Sequence, residues 1–416
     1  MSVGKQTRLG VNSKQTQTID ARQYGVERYS GRTGDLMDAE TGTMSPAFQA
    51  WAEQTLTPAV AALQTGMPVA FPTETVYGLG ADISCPAAVA QIYELKGRPD
   101  DNPLIVHVAC RRDIAPLAAA FSPQADALAN AFMPGPLTLV LPRSAVVPDV
   151  VTAGLDTVGI RIPLSLPARA FIALSGRSVA APSANLSGSP SPTEAAHVVA
   201  DFQGRLSYVI DGGPAAVGLE STVLDVSGPV PLILRPGQVT AADVIACLLA
   251  AGVEPAEENW REVLLASEKK HSNLIESDET PRAPGMKYRH YAPSVPVEII
   301  PLAAVPERTA KLTEHFRSLQ ADAAGITGRP LKLGLFAGRA LVTAVSSNES
   351  IIPFCYGDQD DQEQAARALF AGLRSLDRSG VDLILAEAMP LTGVGIAYMN
   401  RLEKAAAGGD LQKKMK

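Results

Sequence analysis

Apolar and polar residues recur along this chain with two different periods, and the changes between them mark out strands and helices. Ser45-Pro46 opens a helical stretch carrying Phe48, Trp51, Leu56, Val60 and Leu63, which Gly66 ends and Pro58 is expected to kink or divide. Val69-Ala70-Phe71 is a short apolar strand. Pro86 starts a helix in which Val89, Ile92, Tyr93 and Lys96 share one stripe. From 104 to 109 the pattern alternates: Leu104, Val106 and Val108 face one way, Ile105, His107 and Ala109 the other. Helical patterns follow near 113–120 and 123–133, broken by Pro134-Gly135-Pro136 before a strand over 137–141. Val158, Ile160 and Ile162 form one face of the next strand, leaving Arg161 on the other beside Gly159. Strands near 179–181, 208–210 and 232–234, and a helix starting near Thr193, complete this part. Past Pro296 a new series begins: strand 297–300, helix 306–320, strand 331–336, helix 360–376 and strand 381–386.

At 416 residues the chain exceeds the usual size of one hydrophobic core, so two domains are expected. The strands of the first part are short and bounded by proline, which favours a twisted mixed α/β sheet over a purely parallel one. The resulting division is a mobile polar extension over 1–44, a mixed α/β domain over 45–250, a charged linker over 251–295 and a smaller C-terminal βα, Rossmann-like domain over 296–416.

Composition narrows the function. The chain is 46% hydrophobic and 19% charged, with a net charge of -7, a balance that argues against broad capture of nucleic acid through clustered cations. Cys85, Cys110, Cys247 and Cys355 are scattered without a Cys-x-x-Cys pair, which points to a reducing cytoplasm and away from a structural zinc site. No apolar run reaches the roughly 20 residues needed to cross a bilayer, and no metal-ligand set is evident.

Candidate chemistry gathers where cations meet breakers. Lys96-Gly97-Arg98-Pro99 ends the helix begun at Pro86, and Asn102-Pro103 leads into the alternating strand. Two cations one residue apart suit either a solvated corner or an anion held between them. Arg161, with an empty neighbour, serves either an anion or the guarding of a sheet edge. His107 reads as a hydrogen-bonded core residue or as a catalytic one. Ser183 and Asn185, in the polar run after the strand at 179–181, are helix caps or phosphate donors. Arg235 stands immediately before Pro236-Gly237. The linker ends in Met286-Lys287-Tyr288-Arg289-His290-Tyr291, too rich in sticky groups for a spacer.

Pro72-Thr73-Glu74-Thr75-Val76-Tyr77-Gly78-Leu79, Lys96-Gly97-Arg98-Pro99 with Asn102-Pro103-Leu104, Gly135-Pro136-Leu137-Thr138, Gly159-Ile160-Arg161-Ile162-Pro163, Pro182-Ser183-Ala184-Asn185 and Glu220-Ser221-Thr222 together resemble the YrdC-like domain of L-threonylcarbamoyladenylate synthases. The linker motif and the closing Asn400-Arg401-Leu402 resemble the long, two-domain form of that family. The resemblance implies that L-threonine, bicarbonate and ATP, with Mg²⁺, become threonylcarbamoyl-AMP and pyrophosphate. A separate transferase complex then modifies the adenosine next to the anticodon of tRNA. It further implies that Arg161, Thr75, His107 and Ser221 surround threonine. Lys96, Arg98, Asn102, Ser183, Asn185 and Arg235 would hold ATP, Lys96, Arg98 and Arg161 would carry the catalytic charge, and Tyr291 would close as a lid or merely dock the second domain. The competing expectation is an RNA-binding protein that uses the same cleft without catalysis of its own.

Overall fold

Two sheets organise residues 15–25, 33–270, 281–284, 290–327 and 329–407, which the computed structural model describes. The first contains β1 (Gln17–Asp20), β2 (Val69–Phe71), β3 (Gly78–Asp82), β4 (Ile105–His107), β5 (Leu137–Pro142), β6 (Thr157–Arg161), β7 (Val179–Ala181), β8 (Tyr208–Asp211), β9 (Thr222–Asp225) and β10 (Leu232–Arg235). Their spatial order is β1-β8-β2-β3-β7-β4-β6-β5-β9-β10, with parallel and antiparallel neighbours mixed as the short, proline-bounded strands predict. The second sheet is parallel throughout and ordered β11 (Val297–Ile300), β14 (Leu383–Glu387), β12 (Leu333–Ala337), β13 (Ile351–Cys355).

Both faces of the large sheet are covered, which explains why its strands are apolar on two sides. Helices Pro46–Gln64 and Leu166–Ser175 pack Leu56, Leu63 and Phe171 against Phe71 and Val179. On the opposite face Val89, Ile92, Leu128 and Leu248 lie against Val106, Leu139 and Ile160. The alternation read from 104–109 and 158–162 therefore holds: one set enters the core, while His107 and Arg161, in register on parallel β4 and β6, turn to the other side.

Several expectations need correction. Residues 17–20 of the supposed mobile extension form β1, paired in parallel with β8. Residues 36–44 are tied down as well, because the fully buried Arg169 donates to the carbonyls of Met37 and Asp38 at 3.4 and 2.7 Å. A polar strand at a sheet edge has no apolar alternation to betray it. Residues 1–14 and 26–32 lie outside the described residues. The linker also starts later than its charge implies. Trp260 and Leu264, one turn apart on helix Trp260–Lys270, are buried in the first core, and Glu268 caps Ala241 N at 3.0 Å. Pro58 neither breaks nor divides helix Pro46–Gln64, since it sits on the exposed face. Near 113–120 only a short turn of 3-10 helix, Arg111–Asp113, is present.

The small domain is clamped to the first. Gly218, at φ +78°, lies so close to the second domain that a Cβ there would meet Arg367 O at 2.3 Å. Buried Arg374 forks onto Asp201 at 2.7 and 2.9 Å and onto Pro190 O. Asp377 accepts from Ser294 Oγ and Val295 N, which anchors the chain leaving the linker.

Candidate active site

The helix Pro86–Lys96 ends because Gly97 takes the left-handed conformation, φ +60°, and Arg98 N reaches back to Tyr93 O at 2.9 Å. This reversal separates the two cations of the motif. Lys96, last on the buried stripe, sends Nζ to the carbonyls of Ser183 and Asn185, both at 2.5 Å. Burial, and then Arg98, push its pKa well below the ordinary lysine value. Arg98 turns the other way and donates to Asn102 O and Pro103 O at 3.2 and 2.9 Å.

Arg98, Arg161 and Arg235 line one cavity, together with Thr75, His107, Ser183, Asn185, Ser221, Glu220, His290 and Tyr291. Lys96 and Asn102 do not line it. Lys96 is a strut behind the Ser183–Asn185 loop, and Asn102 is buried beneath Arg98 with its carbonyl turned to it. Sequence spacing cannot separate a lysine that faces a hollow from one that braces its wall.

Each cation is held by its own local geometry. Arg161, on β6, donates Nη2 to Glu74 Oε1 at 2.7 Å and Nε to Gly135 O at 3.3 Å; Nη1 has no hydrogen-bond partner among the described residues. Glu74 also accepts from Leu164 N at 2.9 Å, so one carboxylate joins the loop after β2 to the end of β6. Arg235 closes on Ser221, donating to its carbonyl at 3.0 and 3.1 Å and to Oγ at 3.1 Å. Burial pushes Arg98 and Arg235 down to about 10 each, which leaves both charged at neutral pH.

Hydroxyls complete the lining. Thr73 Oγ1 donates to Val76 O at 2.6 Å, so the 2.8 Å contact with Thr75 Oγ1 is donated by Thr75. Ser221 Oγ shares a 2.8 Å bond with Thr138. His107 Nδ1 lies 3.2 Å from Ile105 O and its ring meets Phe71 edge-on at 5.6 Å. Burial, and then Arg161, lower its pKa to about 3. The ring is therefore held toward its neutral form in the cavity wall beside Arg161.

Tyr291 sits on the border between domains. Its backbone is at φ +66°, its ring lies 5.2 Å from Phe370 of the small domain, and it packs with Val76 and Leu219 of the first. Residues 285–289 of the linker motif lie outside the described residues.

Three groups escaped the sequence reading. Glu74 and Glu220 stand inside motifs where their neighbours drew attention, and both prove to be buried ion-pair partners. His290 also lines the cavity, and among the described residues its Nε2 has no hydrogen-bond partner. The signal for the acids was an isolated carboxylate in a stretch with no other charge.

Comparison with known proteins bears on this arrangement. A family described as Telomere recombination matches residues 61–237, and one described as the C-terminal domain of threonylcarbamoyl-AMP synthase matches 242–407. The chain is 42% identical to a threonylcarbamoyl-AMP synthase of Pyrococcus abyssi over 346 residues, 83% of this chain and 92% of that one. With the Bacillus subtilis threonylcarbamoyl-AMP synthase it shares 42% identity over 354 residues, 84% and 92% of the two chains. The structure of P. abyssi Sua5 complexed with L-threonine is similar, with a TM-score of 0.74 and 38% identity, covering 94% of this chain and 98% of the other.

Proposed function

The chain belongs to the Sua5 family of threonylcarbamoyl-AMP synthases, and we propose that its cavity joins L-threonine, bicarbonate and ATP into threonylcarbamoyl-AMP and pyrophosphate. The observation that carries this reading is the convergence of Arg98, Arg161 and Arg235, from three distant segments, on one hollow. The comparisons favour synthesis over an RNA-binding role without catalysis.

In the proposed reaction the neutral amine of threonine attacks bicarbonate carbon, and water leaves as the carbamate forms. A carbamate oxygen then attacks the α-phosphorus of ATP while the bond to the β-phosphate oxygen breaks, releasing pyrophosphate. Arg161 would meet the threonine carboxylate through Nη1, the nitrogen that Glu74 and Gly135 leave over. Thr75, His107 and Ser221 would surround the rest of the amino acid. Arg98 and Arg235, with Ser183 and Asn185, would orient the phosphates, and Lys96 would hold the Ser183–Asn185 loop in shape. Carbamates fall apart in water, so excluding solvent matters as much as charge, and Tyr291 at the domain border would serve as the lid. Rate enhancement would come from positioning and electrostatics rather than from a covalent enzyme intermediate.

Both carboxylates at the site are engaged by arginines, so Mg²⁺ is proposed to enter bound to the ATP phosphates rather than on protein ligands. Among the described residues no helix is long and apolar enough to cross a membrane, and the four free cysteines suit the proposed cytoplasmic setting. The product would pass to a transferase complex acting on tRNA. The test is pyrophosphate release with mass-spectrometric detection of threonylcarbamoyl-AMP. Product should require threonine, bicarbonate and ATP together and no RNA; turnover of ATP indifferent to threonine would end the reading.

A further inference from the structure

We propose that Arg401, on the closing helix Val394–Ala406 of the small domain, is a positioning residue for the cavity of the first domain: it holds the Glu220 carboxylate away from Arg235 and so keeps that cation available to ATP. The inference rests on the synthase reading.

Arg401 is fully buried, and its guanidinium bridges Glu220 in the cavity wall and the end of β10. Nε donates to Glu220 Oε2 at 3.0 Å and Nη2 to Glu220 O at 3.4 Å. Nη1 donates to the carbonyl of Pro236, the residue after Arg235, at 2.6 Å, and to Asn400 Oδ1 at 3.1 Å. The guanidinium carbon lies 5.9 Å from the centre of the Tyr291 ring. A cavity wall, the end of β10 and the linker are therefore all fixed by one side chain from another domain.

The other oxygen of Glu220 is occupied too, since Ser191 Oγ donates to Oε1 at 2.5 Å. Burial alone would raise the pKa of Glu220, yet Arg401, Arg235 and Ser191 together hold it below the ordinary carboxylate value. Glu220 thus remains an anion lining a hollow meant for anions. Deprived of Arg401, it would keep its charge by swinging to Arg235, which lines the same cavity and already acts on it electrostatically, and would compete there with a phosphate.

Buried Arg–carboxylate pairs between domains often do no more than fasten them. The molecule carries its own control for that role: Arg374 forks onto Asp201 across the same pair of domains, but neither residue lines the cavity. A fastener and a positioning residue should separate when binding and stability are both measured.

The experiment compares wild type, R401Q, E220Q/R401Q and R374Q, with ATP and L-threonine affinities from calorimetry and melting temperatures alongside. R401Q is expected to weaken ATP binding about 30-fold or more while threonine changes by less than about threefold. E220Q/R401Q, which removes the competing charge, should recover ATP affinity to within about fivefold of wild type. R374Q should melt at lower temperature and bind ATP like wild type. Wild-type ATP affinity in R401Q, or a double variant as weak as R401Q, overturns the inference and leaves the synthase reading standing. Should R401Q not fold, R401K keeps the cation but loses the fork; it is expected to weaken ATP about tenfold, and an unchanged affinity again overturns the inference. A wild-type protein that does not bind ATP at all removes the synthase reading, and this inference with it.

Discussion

Both domains bury an arginine against a glutamate at the end of a sheet, but the surroundings differ. In the small domain Glu387, at the end of β14 and fully buried, accepts from Arg308 at 2.7 Å, Gly338 N at 2.7 Å, Tyr356 OH at 3.0 Å and Gln359 Nε2 at 3.1 Å. This carboxyl edge of a parallel sheet is where open α/β folds commonly hold a ligand. Here the domain's own side chains occupy it. In the first domain, among the described residues, three arginines face one hollow against a single lining carboxylate, Glu220, and Arg161 retains an uncommitted nitrogen. A buried ion pair therefore does not mark a site. An excess of one charge, with donors left over beside empty space, does.

The largest expected effect follows from removing the donor left over. Arg161→Ala should lower threonine-dependent pyrophosphate release by about a thousandfold or more, on the scale of losing a main electrostatic donor. It should also lower stability, because Glu74 stays buried without its partner; adding Glu74→Gln should recover melting temperature but not turnover. Arg308→Met makes the same kind of cut in the small domain. Stranding Glu387 should cost about 3–5 kcal/mol in chemical denaturation, with the affinities for ATP and threonine unchanged in the folded protein. An Arg308→Met protein that folds with wild-type stability but fails to bind ATP would dissolve the contrast between the two regions. Tyr291→Ala, at the border between them, is expected to raise the Kd for ATP by about tenfold, a loss typical of one buried aromatic contact. An unchanged value would leave Tyr291 only the role of docking the small domain.

The same contrast explains what was legible in the sequence. Strands with a run of apolar residues declared themselves: the alternation around Val106 and Ile160 placed His107 and Arg161 on the correct side, and β11, β12 and β14 fell close to their predicted positions. β3 carries no strand signal in the sequence, because Gly78 and Gly80 replace the side chains that would alternate. Those glycines are there for packing: a Cβ on Gly80 would meet Val179 and Phe71 at 2.6 and 2.7 Å. β13, Ile351–Cys355, is an edge strand whose apolar run lacks alternation and is interrupted by Pro353, a residue that argues against a strand. Helix Leu166–Ser175, buried almost all round, has no polar face to set its period and went unassigned. At the site, residue type and spacing identified the arginines. They could not tell Lys96 from Arg98, because the difference arises from the left-handed turn at Gly97. Nor could they pair Glu220 with Arg401, which lie 181 residues apart.

The smallest expected effect concerns what the surplus of cations does to stability. Lys404 lies one turn beyond Arg401 on the closing helix, buried, with Nζ 3.3 Å from Asn400 Oδ1. Burial first, then Arg401 and Arg235, push its pKa down to about 7. In the unfolded chain it would titrate near the ordinary lysine value of about 10.4. Between those limits the unfolded state binds more protons than the folded one, so stability should rise with pH from about 7 to about 10 and level off on either side. Glu220 opposes the shift, while Arg401 and Arg235 strengthen it. Lys404→Met should remove this slope and raise the melting temperature at pH 7 by a few degrees, of the order expected for about 1 kcal/mol in a domain of this size. ATP, by bringing negative charge beside the same cations, should return the proton. Calorimetry at pH 7.5 in buffers of different ionisation enthalpy would then read a fractional proton uptake on ATP binding that Lys404→Met lacks. Equal uptake in both proteins would mean that Lys404 does not sense the cavity, and that the excess charge is confined to Arg98, Arg161 and Arg235.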